Sequence, residues 1–348
     1  MKHSIVAEDL VNITRAALPW DDFSGATALI TGAAGFLPAY MVETLLYLNQ
    51  NRLTKPAKVI ALVRNIERAR HHFADHLHRE DFEIVAQDVS APLTIDAKLD
   101  YIIHAASQAS PVYYRTDPVG TLSPNVMGTY HLLSAAQRHG TRGFLYFSSG
   151  EIYGIVPPGS GDIAEATGGW LDPTDLRSCY GESKRMGETM CVAWARQFNV
   201  PTRIARPFHT YGPGMRLDDG RVFADFVRDI LSGGPIVLNS DGTARRSFCY
   251  LADATIGFFT VLLKGATGEA YNVANPGGEC SIAELADRLA AVYADQGVTV
   301  ERRVRSDAAY MPSPILSTKP DIQKAKALGW EPRYGIEEGF SRTVASYS

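Results

Sequence analysis

Cysteine is scarce in this chain. Four occur in 348 residues, Cys179, Cys191, Cys249 and Cys280, with no CxxC pair and no Cys/His zinc spacing. That excludes a disulfide scaffold and a zinc module, and it predicts buried or half-buried thiols in a reducing compartment. Long apolar runs are also missing. No segment approaches the about 20 residues of a membrane span, and no charged-then-apolar leader opens the chain, so a cytoplasmic protein without a membrane partner is expected. Excess charge of one sign is absent too. The net charge of -4 supplies no polycation for nucleic acid and no basic tail for a lipid surface. There is no internal repeat and no low-complexity stretch. Asp9, Asp21 and Asp22 stand without the neighbours a metal site needs, so no metal is expected.

What is present is an ordinary globular composition, 45% hydrophobic and 21% charged, over a length that favours two domains or one large α/β domain with an appendage. Residues 1–24 form an N-terminal extension in which Val6 to Leu18 reads as a short amphipathic helix ended by Pro19-Trp20. Ala28-Leu29-Ile30 is a buried strand feeding a glycine turn, and a helix follows over Ala39 to Asn49. Strands at Lys58–Val63, Phe82–Ala86, Tyr101–Ala105 and Gly143–Phe147 alternate with helices at Ile66–Leu77 and Val126–Arg138. A long helix runs from Tyr180 to about Gln197 before a strand at Thr202–Ala205. This alternation defines an α/β fold, a Rossmann-type doubly wound parallel sheet. Beyond Arg206-Pro207, short strands, Gly/Pro turns and helices at Phe223–Leu231, Ile282–Tyr293 and Ile336–Ser346 suggest a smaller mixed α/β domain for substrate. The expected division is 25–206 for the dinucleotide, with a segment near 245–275 returning to it, and 207–348 for substrate.

Gly32-Ala33-Ala34-Gly35-Phe36-Leu37 follows the first strand and opens a helix. Small residues let a backbone approach a pyrophosphate, and the helix N-terminus offers N–H donors and the positive end of its dipole. The third glycine of a GxxGxxG pattern is replaced by Pro38, which a first helical turn tolerates. The second strand ends at Arg64 where an acidic residue would bind the ribose of NAD, so Arg64 could pair instead with the 2′-phosphate of NADP. Asp88-Val89, after the third strand, is a candidate adenine contact or a simple turn.

Tyr180 and Lys184 are four apart, one turn from each other on one helix face. A free tyrosine is a poor base at neutral pH, and a nearby ammonium is expected to bring its pKa down toward the working range. Ser148-Ser149-Gly150-Glu151 follows a strand end. There Ser149 could hydrogen-bond a substrate oxygen, and Glu151 is the nearest carboxylate for acid/base work. Arg216, Arg221, Arg245 and Arg246 surround Gly/Asp-rich turns, and arginine forks suit phosphate. A solvated surface position is the better reading for Arg216 and Arg245.

These residues resemble an extended short-chain dehydrogenase/reductase of the NAD-dependent epimerase/dehydratase family. TGAAGFL, HAAS (104–107), NVMGT (125–129), SSGEIYG (148–154), YGESK and KPDIQKAKALGWEP (319–332) carry the likeness, which extends from about residue 25 to 345. Within the family the chain is most similar to UDP-glucuronate decarboxylases, through ASQASPVYYRTDPVGTL (106–122), RSCYGESKRMGETMC (177–191) and ARPFHTYGPGMRLDDGRVFADF (205–226). The resemblance implies a tightly held NAD and a sugar-nucleotide oxidised at C4. By the same resemblance Tyr180 takes the hydroxyl proton, Lys184 lowers the tyrosine pKa and holds the ribose, and Ser149 orients the hydroxyl. It further implies cofactor contacts at Ala105, Ala106 and Ser107, substrate contacts at Ser110, Pro111, Glu151, His209, Arg221 and Arg246, and a homodimer through the Tyr180 and Val126–Arg138 helices. Three departures stand out. Gly150 replaces the aspartate of 4,6-dehydratases and the serine common in decarboxylases, His209 stands where decarboxylases have asparagine, and Arg64 replaces the acidic ribose ligand. Decarboxylation is the first expectation, 4-epimerisation the second and 4,6-dehydration the third. A dinucleotide-binding sensor without chemistry is the alternative outside enzymes.

Overall fold

The computed structural model describes residues 3–157, 159–303 and 319–348. In chain order the elements begin with α1 (Ser4–Thr14), β1 (Thr27–Thr31), α2 (Phe36–Asn51), β2 (Lys58–Val63), α3 (Ile66–His72), β3 (Phe82–Ala86) and β4 (Tyr101–His104). Next come α4 (Pro111–Thr116), α5 (Pro118–Ser123), α6 (Thr129–His139), β5 (Gly143–Phe147), α7 (Ser178–Phe198), β6 (Thr202–Pro207) and β7 (His209–Tyr211). The remainder is α8 (Val222–Leu231), β8 (Ile236–Leu238), β9 (Arg245–Tyr250), α9 (Leu251–Lys264), β10 (Glu269–Val273), β11 (Glu279–Ser281), α10 (Ile282–Val292), β12 (Val300–Arg302), α11 (Gln323–Lys326) and α12 (Ile336–Ala345).

Seven strands form one parallel sheet in the order β10-β6-β5-β4-β1-β2-β3. β4 and β5 are buried along their whole length, as strands covered by helices on both faces must be. The strand order reverses between β1 and β4, where Thr31 faces His104 in register. In open α/β sheets the crevice beyond the strand ends at such a reversal receives the ligand. β10 enters from late in the sequence and pairs with β6, while α9 lies against β5 and β6. β9, by contrast, joins β7 in parallel and β11 antiparallel in a separate three-stranded sheet. Parallel β8 and β12 form a third, two-stranded sheet.

Element boundaries differ from the sequence reading where side chains bend the chain. α1 ends at Thr14 rather than Leu18. The Thr14 hydroxyl donates back to the Leu10 carbonyl at 2.8 Å, and the chain then turns to bury Trp20 in a 3-10 turn at Trp20–Phe23. The Ile66–Leu77 helix breaks at Phe73, which is buried and stacks edge-on with Phe82. The Val126–Arg138 helix begins with a wide turn at Pro124–Gly128, where a Cβ on Gly128 would stand 3.0 Å from a Val89 methyl. Residues 1–24 do not stand apart from the body: α1 packs on α2 and α9.

Candidate active site

Gly32 ends β1 with φ +65°, and a Cβ there would lie 2.7 Å from Ala106 Cα. The two loops beyond β1 and β4 therefore meet at a distance that only glycine allows. Thr31 fixes the same junction. Ala106 N donates to Thr31 Oγ1 at 3.1 Å, and Thr31 Oγ1 lies 2.9 Å from His104 Nδ1. His104 Nε2 is 3.1 Å from the Pro124 carbonyl, which can only accept, so Nε2 carries the proton and Nδ1 accepts from Thr31. Burial, and then the Lys184 charge, hold the His104 pKa down to about 3, so the imidazole is neutral. His104 was read from sequence only as part of the HAAS string, and its pinning role needs the strand register to be seen.

α2 starts at Phe36 with Gly35 as its N-cap and no side chain capping it, so its first N–H groups face the crevice uncapped. A Cβ on Gly35 would stand 2.9 Å from the Gly32 carbonyl. Pro38 sits buried in the first helical turn. Ser107 Oγ is buried without a hydrogen-bond partner among the described residues. An uncapped helix start, a cradle that a methyl would fill and an unsatisfied buried hydroxyl fit a dinucleotide pyrophosphate. Phe36, Leu37, Ala105 and Ala106 line this region half-buried. Arg64 is exposed beyond β2. Asp88 is exposed, and its Oδ1 accepts from Ser90 N at 2.8 Å in a turn, while Val89 packs inward toward Gly128.

α7 carries Tyr180 and Lys184 across the end of β5. It can do so because Gly187 has no side chain, since a Cβ there would meet the Tyr146 hydroxyl at 2.1 Å. Lys184 Nζ donates to the Phe147 carbonyl at 2.6 Å and lies 5.1 Å from the Tyr146 ring centroid and 5.7 Å from that of Tyr180. Tyr180 is stacked on Tyr114 at 5.1 Å between centroids, with 15° between planes. The Ser149 side chain hydrogen-bonds the Tyr180 phenol. Ser149, Tyr180 and Lys184 thus converge at one strand end.

The electrostatics correct the sequence expectation. Burial pushes the Tyr180 pKa up to about 12 despite the Ser149 hydrogen bond, and nearby Glu151 raises it further while Arg221 opposes. Burial likewise pulls Lys184 down to about 7, against the opposing charge of Glu188. Burial dominates the tyrosine, with Ser149 and Arg221 as the groups that oppose it, so the four-residue spacing to Lys184 does not by itself bring Tyr180 toward neutrality. Cys179, beside Tyr180, has its thiol pushed up by burial and is not activated.

Glu151 is half-buried, with Oε2 3.8 Å from Arg177 Nη2. Neighbouring Gly150 has Phe208 against it, so that a Cβ would stand 3.1 Å from the ring. Ser148 turns away from the crevice and donates to Glu188, which holds Arg206 through two contacts of 2.8 and 2.6 Å. Arg206 also donates to the Tyr153 hydroxyl at 2.8 Å, tying β5, α7 and β6 together beneath the site.

On the facing side, Ser110 Oγ is committed to the Asp219 carbonyl at 2.7 Å, and Pro111 starts α4. Arg221 pairs with Asp219, Arg216 with Asp218, and Arg245 with Glu279 and Glu284. Arg245 is therefore tied into an ion-pair network rather than loosely solvated. Arg246 is buried on β9, and His209 lies across from Phe248 in register on β7. Burial, then Arg246 and Arg221, hold the His209 pKa down to about 3, and its Nδ1 is buried without a partner among the described residues. Tyr114, Arg177, Glu188 and Arg206 were missed in sequence as site elements, because their roles appear only once α4, α7 and the strand ends are assembled. Among the described residues no cluster of three or more His, Cys, Asp or Glu side chains could hold a metal.

A doubly wound sheet with a glycine cradle at its reversal, and a serine, tyrosine and lysine converging beside it, defines a dinucleotide-binding enzyme of the short-chain reductase type. The family model for the NAD dependent epimerase/dehydratase family matches residues 28–274, and the chain belongs to that family. It is 35% identical over 324 residues to UDP-glucuronic acid decarboxylase 6 of Arabidopsis thaliana, covering 91% of this chain and 87% of that one. It is 36% identical over 317 residues to UDP-glucuronic acid decarboxylase 1 of Xenopus tropicalis, covering 91% and 70%. The fold is shared with UDP-glucuronic acid 4-epimerase of Bacillus cereus, crystallised with UDP-glucuronic acid and NAD (TM-score 0.75, 23% identity, 92% and 98% covered). It is shared also with dTDP-glucose 4,6-dehydratase of Bacillus anthracis in complex with NAD (TM-score 0.76, 20% identity, 92% and 96% covered).

Proposed function

We propose that the chain is an NAD-dependent nucleotide-sugar enzyme that oxidises its substrate at C4 and decarboxylates UDP-glucuronate. The observation that carries this choice is the neighbourhood of Gly150. Glu151 is retained, but the position before it has no acid and is filled by Phe208. A 4,6-dehydratase needs an acid there to expel water, whereas decarboxylation needs none. The near full-length likeness to the decarboxylases supports the same reading.

NAD would be held by the Gly32–Leu37 turn, Ser107 and Lys184, and would supply a reversible hydride acceptor for C4. Tyr180, in the phenolate form that the positive charge of an oxidised nicotinamide beside it would favour, receives the C4 hydroxyl proton, and Ser149 holds the substrate oxygen beside it. Once C4 is a ketone, the C6 carboxylate is a β-keto acid. Carbon dioxide leaves, and the electron pair moves into the C5–C4 enolate, whose oxygen Tyr180 stabilises by hydrogen bonding. Glu151 relays to C5 a proton taken up from solvent, and Tyr180 returns its own proton to the C4 oxygen when the hydride comes back. Arg221, Arg246 and His209 are assigned to the diphosphate and sugar, with Ser110 and Pro111 shaping that wall, and Asp88 and Val89 flanking the adenine. Arg64, exposed where an acidic ribose ligand would stand, leaves NADP as an alternative that mass spectrometry of the released dinucleotide decides.

The same Ser149, Tyr180 and Lys184 set would serve a 4-epimerase, which the shared fold with a UDP-glucuronic acid epimerase supports as the second reading. A sensor without chemistry is disfavoured because all three residues are present and gathered at one strand end. We further propose a homodimer through α6 with the turn before it and α7, where Met127, Tyr130, Met186 and Phe198 are exposed. Unpaired cysteines and the lack, among the described residues, of any helix long and apolar enough to cross a membrane support a cytoplasmic assignment. Mass spectrometry of products from UDP-, dTDP-, GDP- and CDP-sugars tests the reading. A pentose nucleotide from UDP-glucuronate is expected, and a 4-keto-6-deoxy product would overturn it.

A further inference from the structure

Arg177 precedes Tyr180 by one helical turn at the N-cap of α7. Its side chain is only 15% exposed, and its Nη1 is buried without a hydrogen-bond partner among the described residues. An arginine is always charged, and a buried charged donor left without a partner is costly, so such groups are kept where something else satisfies them. The other nitrogen, Nη2, stands 3.8 Å from Glu151 Oε2, too far for a hydrogen bond. The guanidinium lies 6.0 Å from the centroid of Tyr114, the ring that stacks on Tyr180. Arg177 and Glu151 together line a cavity of about 90 Å³ with Trp170, Leu171 and the carboxylates of Asp172 and Asp175, neither of which forms an ion pair with Arg177 among the described residues. A cation with one unmade hydrogen bond thus sits between the ring that flanks the base and the nearest carboxylate.

We propose that Arg177 determines specificity by reading the C6 carboxylate of the sugar, an inference that rests on the decarboxylase reading above. A sugar with its C4 oxygen at Tyr180 carries C6 two bonds away from C4, on the side where Glu151 stands. Two carboxylates there repel each other unless a cation faces both. Arg177 does so, with Nη1 donating to a C6 carboxylate oxygen and Nη2 facing Glu151. A single contact orients the carboxylate without the two-bond fork that would hold its charge too firmly to leave as carbon dioxide.

The test is calorimetric binding of UDP-glucuronate and UDP-glucose, which differ only at C6, to the full chain carrying Tyr180→Phe so that neither ligand is consumed. With Arg177 present, UDP-glucuronate is expected to bind about ten-fold or more tighter than UDP-glucose, the scale of one charge-assisted hydrogen bond. Adding Arg177→Gln should reduce that ratio to near one while UDP-glucose affinity stays within about two-fold, and Arg177→Lys should retain part of the preference. An unchanged ratio in Arg177→Gln, or equal weakening of both ligands, would overturn the inference and leave the nucleotide-sugar reading standing. Equal binding of both ligands with Arg177 present would overturn it as well. Binding of neither ligand with Arg177 present would overturn the nucleotide-sugar reading and this inference with it.

Discussion

At the scale of single residues, burial sets the protonation of the site more than charge pairing does. Lys184 is fully enclosed, and desolvation pulls its pKa from the ordinary lysine range to about 7. The sign of the stability effect follows. Between about pH 7 and the unfolded value of 10.5 the unfolded chain binds the extra proton, so this group favours unfolding most strongly at and below pH 7. Its cost fades as pH rises toward the unfolded value. Lys184→Met should therefore stabilise the cofactor-free protein by about 1–3 kcal/mol at pH 6, after the loss of the bond to the Phe147 carbonyl is subtracted, and by less at pH 10. Urea denaturation at the two pH values measures it, and a destabilised variant at pH 6 would contradict it. Gly32 gives a second expectation at this scale. A methyl there would strain φ +65° and strike the Ala106 backbone, so Gly32→Ala should release bound dinucleotide on gel filtration where the parent retains it.

At the scale of elements, the close approach of α7 to β5 places Tyr180 and Lys184 at the strand end. In an ordinary helix interior, Gly→Ala stabilises by about 1 kcal/mol. At Gly187 the new Cβ would fall 2.1 Å from the Tyr146 hydroxyl, so the sign should reverse. Gly187→Ala is expected to lose about 1–3 kcal/mol in a denaturant melt and to lower kcat by moving Tyr180 and Lys184 off the strand end. Much of this level was legible in the sequence. β2 and β5 begin and end where the sequence reading puts them, because a strand buried on both faces leaves a near-continuous hydrophobic stretch. The Gly32 turn and the Tyr180–Lys184 pair were legible because local spacing fixes them. What was not legible depends on contacts between distant segments. The stacking of Tyr114 on Tyr180 and the Arg206–Glu188 pair beneath Ser148 both join residues far apart in the chain, whereas the return of β10 to the sheet beside β6 was expected from the segment near 245–275. The direction of the Tyr180 shift was misjudged for the same reason, since four-residue spacing reports the lysine and not the burial.

At the scale of the whole molecule, the two ends of the chain are fastened together behind the site. Asp9 of α1 is fully buried and accepts from Tyr250 at 2.7 Å, from Tyr40 at 3.1 Å and from Arg342 of α12 at 2.8 Å. The cluster links α1, helix α2 that opens at the glycine turn, the end of β9 and α12. Asp9→Ala would take the shared acceptor from two hydroxyls and leave Arg342 with its more exposed partner Glu8, so it should cost about 3 kcal/mol, and Asp9→Ala with Arg342→Leu should cost less than the sum of the two single changes. Thermal melts of the three variants check the inequality. The enclosed site that this frame supports is proposed to run a redox-neutral cycle in which the sugar loses its carboxylate and the cofactor returns unchanged. The most direct test is to incubate the protein with UDP-glucuronate labelled with carbon-13 at C6 and to follow the label. The account predicts labelled carbon dioxide, an unlabelled pentose nucleotide and no net NADH, with the rate falling about 10²–10⁴-fold in Tyr180→Phe. Label retained in a C4 epimer of the starting sugar would contradict it.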